Sequence, residues 1–513
     1  MVTPFRALLL LFYVACAVLV LMVLSPGEIP LSQELSLKVF TFQDLVGNHH
    51  PPTAEHTRQM QALNAISQRI DSLMRQKINR DSVFFSDSMA APQPAKARRI
   101  TRELLETLPE TVHRIQFPDS LNPLQLDKFF GALAELSYKP QLVRIVHYGD
   151  SQIEGDRISD YMRMRLQKRF GGCGVGIVPF LELQASRSTL ATEATNNWFK
   201  YSVYGHNKAN KTGHYGILAA AYRFSPLELK DSLAETEKTW RATSYFRPTH
   251  YSNEFSSATE IQNIKLIYSS PFSKVIARIR VEGQERDTTL DLVLRQEQQA
   301  TVAEQAISGR FQQLSVSLES GKGSEFFGLA LDCNQGVALD NVAMRGSSGI
   351  EFSKMNAQWL RRQYELLNVK LIILQFGVNV VPNVLEDYTF YEQMLYNQLR
   401  FLKSVAPQAD ILVVSLSDMA RRSGVGYASY PNVPRIRDAQ RRAAFRAGCA
   451  FWDLYQAMGG EGSIVSWVHN KPPLATKDYT HFTPRGARLV GEMLYNALMK
   501  EYEQYKIRKK LVQ

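Results

Sequence analysis

Apolar strand-like runs alternate with amphipathic helices from about Ile100, stop alternating at Arg187 and resume after Asp340. Residues 187–336 instead carry short runs of near period-two alternation separated by glycines and polar turns, with no helices between them. That order excludes one continuous α/β unit. It predicts an α/β domain with a mostly parallel sheet covered on both faces, into which an all-β sandwich or jelly roll is inserted.

Leu142 to Tyr148 reads as a buried strand that ends abruptly in Gly149-Asp150-Ser151. Ile158, Tyr161, Met162, Leu166 and Phe170 then mark one face of a helix closed by Gly171-Gly172. Ser151 is therefore expected at a strand end, near a helix N-terminus whose free N–H groups and dipole favour negative charge. Within the insert, Ile264–Tyr268, Val275–Val281, Leu290–Leu294, Leu314–Leu318 and Phe327–Leu331 read as strands. Trp198, Tyr201, Tyr204, Trp240, Tyr245 and Phe246 are either sandwich core, the larger share, or sugar-stacking rings. Beyond Asp340, strands are expected at Val369–Phe376, Ile411–Leu416 and Ala450–Trp452, with helices between them. The last helix starts at Thr483-Pro484, an N-cap followed by a first-turn proline.

Ala7 to Leu24 is free of charge, Pro and Gly, and it follows Arg6. It reaches the ~18–20 residues a bilayer crossing needs, and the basic residue before it favours a cytoplasmic N-terminus. The expected organisation is a membrane anchor at 1–25, a stalk at 26–99, the α/β domain at 100–186 and 337–505, the inserted module at 187–336 and a basic tail at 506–513. The catalytic domain then lies outside the cytoplasm, facing the periplasm or the cell surface. In the stalk, Met60, Leu63, Ile66, Ile70 and Leu73-Met74 recur at helical spacing, for packing on the main domain or for pairing in a homodimer. The net charge of +11 suits an anionic surface, but no basic cluster interleaved with aromatics accompanies it, which sets nucleic acid aside. Cys16, Cys173, Cys333 and Cys449 form no C-x-x-C pair, so neither a zinc site nor a disulfide framework is indicated; the three beyond the first apolar run permit at most one internal disulfide, and buried free thiols are the simpler reading.

A serine hydroxyl needs a base to act as a nucleophile, and the base needs an orienting acceptor. Just before the last helix, Asp478-Tyr479-Thr480-His481 places a carboxylate and an imidazole on one loop. Asn379 in Gln375-Phe376-Gly377-Val378-Asn379 and the backbone N–H of Gly346, in a glycine-rich turn, are candidate oxyanion donors. His147 and His469 lack an acid at matching spacing.

Gly149-Asp150-Ser151, Gly346, Gly377-x-Asn379 and Asp478-x-x-His481, in that order and each at a strand end, resemble the four blocks of the SGNH (GDSL-like) hydrolase superfamily. The match covers residues 140–185 and 340–500. With the β-module between the first two blocks, the chain looks most like the peptidoglycan O-acetylesterase branch. The resemblance implies a flavodoxin-like three-layer sandwich and an esterase that needs neither metal nor cofactor. Ser151 would be the nucleophile, His481 the base and Asp478 its partner. Ser151, Gly346 and Asn379 would form the oxyanion hole. The implied substrate is an O-acetylated envelope glycan. An O-acetyltransferase and an inactive glycan-binding scaffold are the alternatives. Two departures stand out: Val380 occupies a place the family commonly gives to Asp, and Gln152 follows the serine, next to the acyl pocket.

Overall fold

The computed structural model describes residues 113–510, except 122, 183–186, 206–208, 226–238, 250–255, 284–286 and 425. It also describes Phe12, Tyr13, Val20, two three-residue strands, Glu28–Pro30 and Ser36–Lys38, and the helix Ala54–Val83.

A five-stranded sheet holds the first unit together. Its strands are β1 (Leu142–Gly149), β2 (Gly336–Ala343), β3 (Val369–Gln375), β4 (Asp410–Val414) and β5 (Ala450–Trp452), in the order β2-β1-β3-β4-β5. Every pairing is parallel. These strands are apolar runs because helices bury both faces. The helices include α1 (Ser159–Phe170), α2 (Ala357–Leu366), α3 (Thr389–Val405), α4 (Val433–Arg446) and α5 (Pro484–Arg508). Strand order reverses direction between β1 and β3, the switch point where open α/β sheets place their chemistry. The register fixes which residues share that edge. Gly149 lies opposite both Ala343 and Gln375, Gln375 opposite Val414, and Val414 opposite Trp452.

The insert carries the larger sheet and it is antiparallel, which corrects a fold class written around the mostly parallel sheet of the α/β domain. Ten antiparallel strands run between Gly176–Val178 and Glu325–Asp332. The 24-residue strand Glu297–Ser320 joins its two halves. Glu297 to Arg310 pairs with Glu260–Ser270, whereas Phe311 to Glu319 pairs with Val275–Gly283 and Leu314 to Ser320 with Trp240–Pro248. Register shifts near Gly309, with φ of 135°, mark the crossing, because a bulge lets one strand change partners. Trp198, Tyr204 and Phe246 are buried, and Trp198 stacks on Phe180 at 5.1 Å, so these rings are core.

Two long-range ties lock insert to domain. Arg144, in the middle of β1 and fully buried, forms ion pairs with Asp332 at the end of the insert and with Asp340 of β2, the latter at 2.7 Å. Cys173 and Cys333 form a disulfide, which overturns the reading of both as free thiols; Cys449 is free and buried.

The membrane helix expected at 7–24 is not shown. No helix among the described residues is long and apolar enough to cross a membrane, and most of that run lies outside the described residues. The helix Ala54–Val83 packs on the main domain: Leu63 and Ile70 are buried, Gln59 Nε2 donates to the Gln456 carbonyl at 3.1 Å, and Asp71 pairs with Arg485 of α5 at 2.6 Å.

Candidate active site

Gly149 ends β1 where no larger residue fits, since a Cβ there would lie 2.8 Å from the Gln375 carbonyl and 2.9 Å from Ile153. Asp150 then caps a short 3-10 turn, Ser151–Asp156, its Oδ1 accepting from Gln152 N at 3.0 Å. The backbone kinks at Glu154 and Gly155, and α1 begins only at Ser159. Ser151 therefore stands on a 3-10 turn and not at the α-helix N-terminus expected from the apolar spacing; the α1 dipole is too far along the chain to act on it. Arg157 ties this turn down, donating from Nη2 to the Ser151 carbonyl at 2.7 Å and from Nε to the Glu154 carbonyl at 2.8 Å.

His481 arrives on the loop before α5. Thr483 caps that helix through Gly486 N at 3.2 Å, and Gly486 is required because a Cβ would overlap the Leu474 carbonyl. Asp478 divides its two oxygens between two tasks. Oδ1 accepts from Thr476 Oγ1 at 2.6 Å, from Thr480 N at 3.0 Å and from His481 N at 3.0 Å, which shapes the loop. Oδ2 accepts from His481 Nδ1 at 2.7 Å. With Nδ1 committed as donor, Nε2 is the acceptor, and it lies 2.8 Å from Ser151 Oγ. Burial pushes the Asp478 carboxyl up, but hydrogen bonds from Thr476, His481 and Thr480 outweigh it and hold the group down to about 2. Asp478 thus stays ionised beside the imidazole. The His481 side chain is 28% exposed and that of Asp478 50%, so the pair is open to water and substrate.

The loops of Asn379 and Gly346 meet through Ser347. Asn379 Nδ2 donates to the Ser347 carbonyl at 2.8 Å, so the β3 loop and the turn after β2 are stitched together beside the serine turn. An amide carries two N–H donors, and this bond occupies one of them. Gly346 sits at φ of +82° with open space around it, so conformation and not crowding calls for glycine there. Among the described residues no hydrogen bond joins Gly346 or Asn379 directly to Ser151.

Residue types alone did not reveal two supports. Asp150 is fully buried, and its Oδ2 accepts from Gly377 N at 3.0 Å and Val378 N at 3.3 Å, fixing the backbone that carries Asn379. This carboxylate holds the loop that carries Val380. Gln152 is buried. Its Nε2 donates to Ser417 Oγ at 2.8 Å and to the Thr480 carbonyl at 2.6 Å, linking the serine turn to the β4 end and the histidine loop. The position of Asp150 next to the serine was the only signal for its role; Gln152 offered none. His147 is a core residue. Burial pushes its imidazole down to about 4, and it bonds Ser159 Oγ at 2.9 Å and Gln375 Oε1 at 3.1 Å. His469 lies at the surface, its Nδ1 2.9 Å from the Val465 carbonyl. Among the described residues no cluster of His, Cys, Asp and Glu could hold a metal ion.

No protein-family model and no curated protein matches the chain. Solved structures do. A peptidoglycan O-acetylesterase aligns over 76% of this chain and 99% of its own, at 18% identity and a TM-score of 0.57. An acetyl xylan esterase covers 32% of this chain and 81% of its own at 16% identity and a TM-score of 0.24. A GDSL-like lipase from Bacteroides thetaiotaomicron covers 32% and 76% at 18% identity and a TM-score of 0.21. The first likeness establishes the fold, an α/β domain with an inserted β-module.

Proposed function

We propose that this chain is a serine esterase that removes O-acetyl groups from peptidoglycan or another cell-envelope glycan, acting outside the cytoplasm. One observation carries the reading: Ser151 Oγ, His481 and Asp478 form a continuous hydrogen-bonded chain at the carboxyl edge of the sheet. The Cys173–Cys333 disulfide supports the location, since such bonds persist in oxidising compartments. The shared fold with a peptidoglycan O-acetylesterase supports the substrate class.

Ser151 Oγ attacks the ester carbonyl carbon while His481 Nε2 takes its proton, and the ionised Asp478 stabilises the resulting imidazolium. The tetrahedral oxyanion is met by the backbone N–H of Ser151, the backbone N–H of Gly346 and the remaining amide donor of Asn379. The imidazolium then protonates the departing sugar oxygen as the C–O bond breaks, leaving an acetyl-serine. Water, deprotonated by His481, attacks that ester, acetate leaves and Ser151 recovers its proton. The open face of His481 and Asp478 admits this water, which favours hydrolysis over transfer.

The test is acetate release from O-acetylated cell-wall polymer by the parent chain and by Ser151→Ala. Release that disappears in the variant supports the reading. Equal release by both refutes the nucleophile, and transfer to a sugar acceptor in place of free acetate would make the chain a transferase.

A further inference from the structure

A second polar cavity opens where the insert meets the serine turn. It has a volume of about 40 Å³ and is lined by Glu154, Glu182, Arg187, Lys200, Tyr204 and Tyr222, among others. One water needs ~10–15 Å³ of such space, so the cavity takes about three water-sized atoms, the size of one carboxylate. Arg187 is only 7% exposed, yet its Nη1 has no hydrogen-bond partner among the described residues. Its Nη2 donates to the Asn341 carbonyl at 3.3 Å, and Glu182 lies 3.8 Å from Nε, so the guanidinium is oriented but one fork is unused. Lys200 Nζ touches the Tyr204 hydroxyl at 3.4 Å and forms no ion pair among the described residues. Glu154 is engaged by Arg345 at 3.4 Å. Three cations, Arg187, Lys200 and Arg345, therefore meet two carboxylates, Glu154 and Glu182, which leaves the cluster one positive charge in excess. A buried donor without an acceptor is destabilising, more so when charged, and a ligand anion removes that penalty.

We infer that this cavity is a subsite for a carboxylate on the substrate glycan, held by Arg187 Nη1 and Lys200 Nζ. The inference rests on the esterase reading and narrows its substrate to an acidic sugar polymer. Glu154, which lines the cavity, is three residues from Ser151, at most ~11 Å along an extended chain, so the cavity's rim lies close to the serine turn. Asn341 and Ala343, which fix Arg187 and Tyr204 through their carbonyls, belong to β2, the strand that leads to Gly346. Anion binding thus sets the glycan against the same strand end that carries the oxyanion turn. Burial works against the charge of Lys200, but Tyr222, Tyr204 and Glu182 outweigh it and raise the group above its ordinary value.

The test uses the full chain carrying Ser151→Ala, so that binding is read without turnover. Affinities for glucuronate and N-acetylmuramate are measured against glucose and N-acetylglucosamine by NMR titration. The acids are expected to bind roughly 10- to 100-fold more tightly than their neutral counterparts. Arg187→Gln and Lys200→Gln, each checked for an intact melting transition, should abolish that preference, and Arg187→Lys should restore part of it. Equal affinity for acid and neutral sugars, or a preference that survives in Lys200→Gln and in a folded Arg187→Gln, overturns the subsite. Failure of the esterase reading would appear separately, as acetate release independent of Ser151.

Discussion

Replacing Asp150 by Asn keeps the side chain's size and removes one buried charge beneath the site. Burial pushes the Asp150 carboxyl up from 3.8 to about 6, although the backbone N–H groups of Gln152, Val378 and Gly377 and the nearby His481 favour its ionised form. A carboxyl raised in this way contributes stability that is complete below the unfolded value and is lost as pH rises through the folded one. The window therefore runs from 3.8 to about 6. That span of about two pH units corresponds to about 3 kcal/mol. Asn has no such slope, but its amide sets N–H against N–H and leaves at least one buried donor unpaired, at about 1–3 kcal/mol. Asp150→Asn should thus be less stable than the parent by about 1–3 kcal/mol near pH 4 and equal to it or slightly better near pH 7. Its activity should move the other way. With Gly377 and Val378 loosened, the Asn379 amide loses its fixed position, and kcat/KM at pH 7 should fall at least ~10-fold, a fraction of what deleting a donor costs. Urea unfolding at pH 4 to 7, run beside ester cleavage at pH 7, reads both effects. A stability difference that stays constant across the window would refute the buried, ionising Asp150, and unchanged kcat/KM would refute its hold on the Asn379 loop.

Asn379→Ala removes the proposed oxyanion donor and the bond to Ser347, and kcat on a soluble acetyl ester should fall ~100- to 1000-fold; a change under tenfold would remove Asn379 from the site. Arg144→Met leaves Asp332 and Asp340 buried without their cation, and chemical denaturation should show a loss of about 3–5 kcal/mol. Burial already pushes Asp332 up, so this loss should shrink as pH falls and the freed carboxylates take protons. The Cys173–Cys333 bridge spans 160 residues, and a closed loop of that length lowers unfolded-chain entropy by up to about 5 kcal/mol. A Cys173→Ser, Cys333→Ser double variant should unfold at correspondingly lower urea, while Cys449→Ser should change little.

The sequence disclosed what local pattern encodes. Buried parallel strands are continuous apolar runs, so Leu142 to Tyr148 and Val369 to Gln375 were visible. The alternating strands of the insert announced themselves by period two, and Thr483-Pro484 marked the start of α5. Ser151, Asp478 and His481 could be found because each stands on a turn after a strand or before a helix. Non-local pairing was hidden. Arg144 reads as an interruption of an apolar run until Asp332 and Asp340 arrive from distant strands, and the partner of Cys173 lies across the whole insert. The supports of the site were hidden for a related reason. Asp150 and Gln152 bond mostly to backbone atoms of Gly377, Val378 and Thr480, which no residue type advertises. The short 3-10 turn at Ser151 escaped because Gly155 breaks a helical spacing that resumes four residues later. The apolar N-terminal run suggested a membrane helix by length and hydropathy alone, without a tertiary contact to test it.

The central claim is that Ser151 is a nucleophile activated by His481. Intact-mass and peptide mass spectrometry after treatment with a fluorophosphonate measures it directly. The account predicts one adduct per chain on Ser151, none in Ser151→Ala and at least a ~100-fold slower reaction in His481→Ala. An adduct on another residue, or labelling of Ser151 at an unchanged rate without His481, would contradict it.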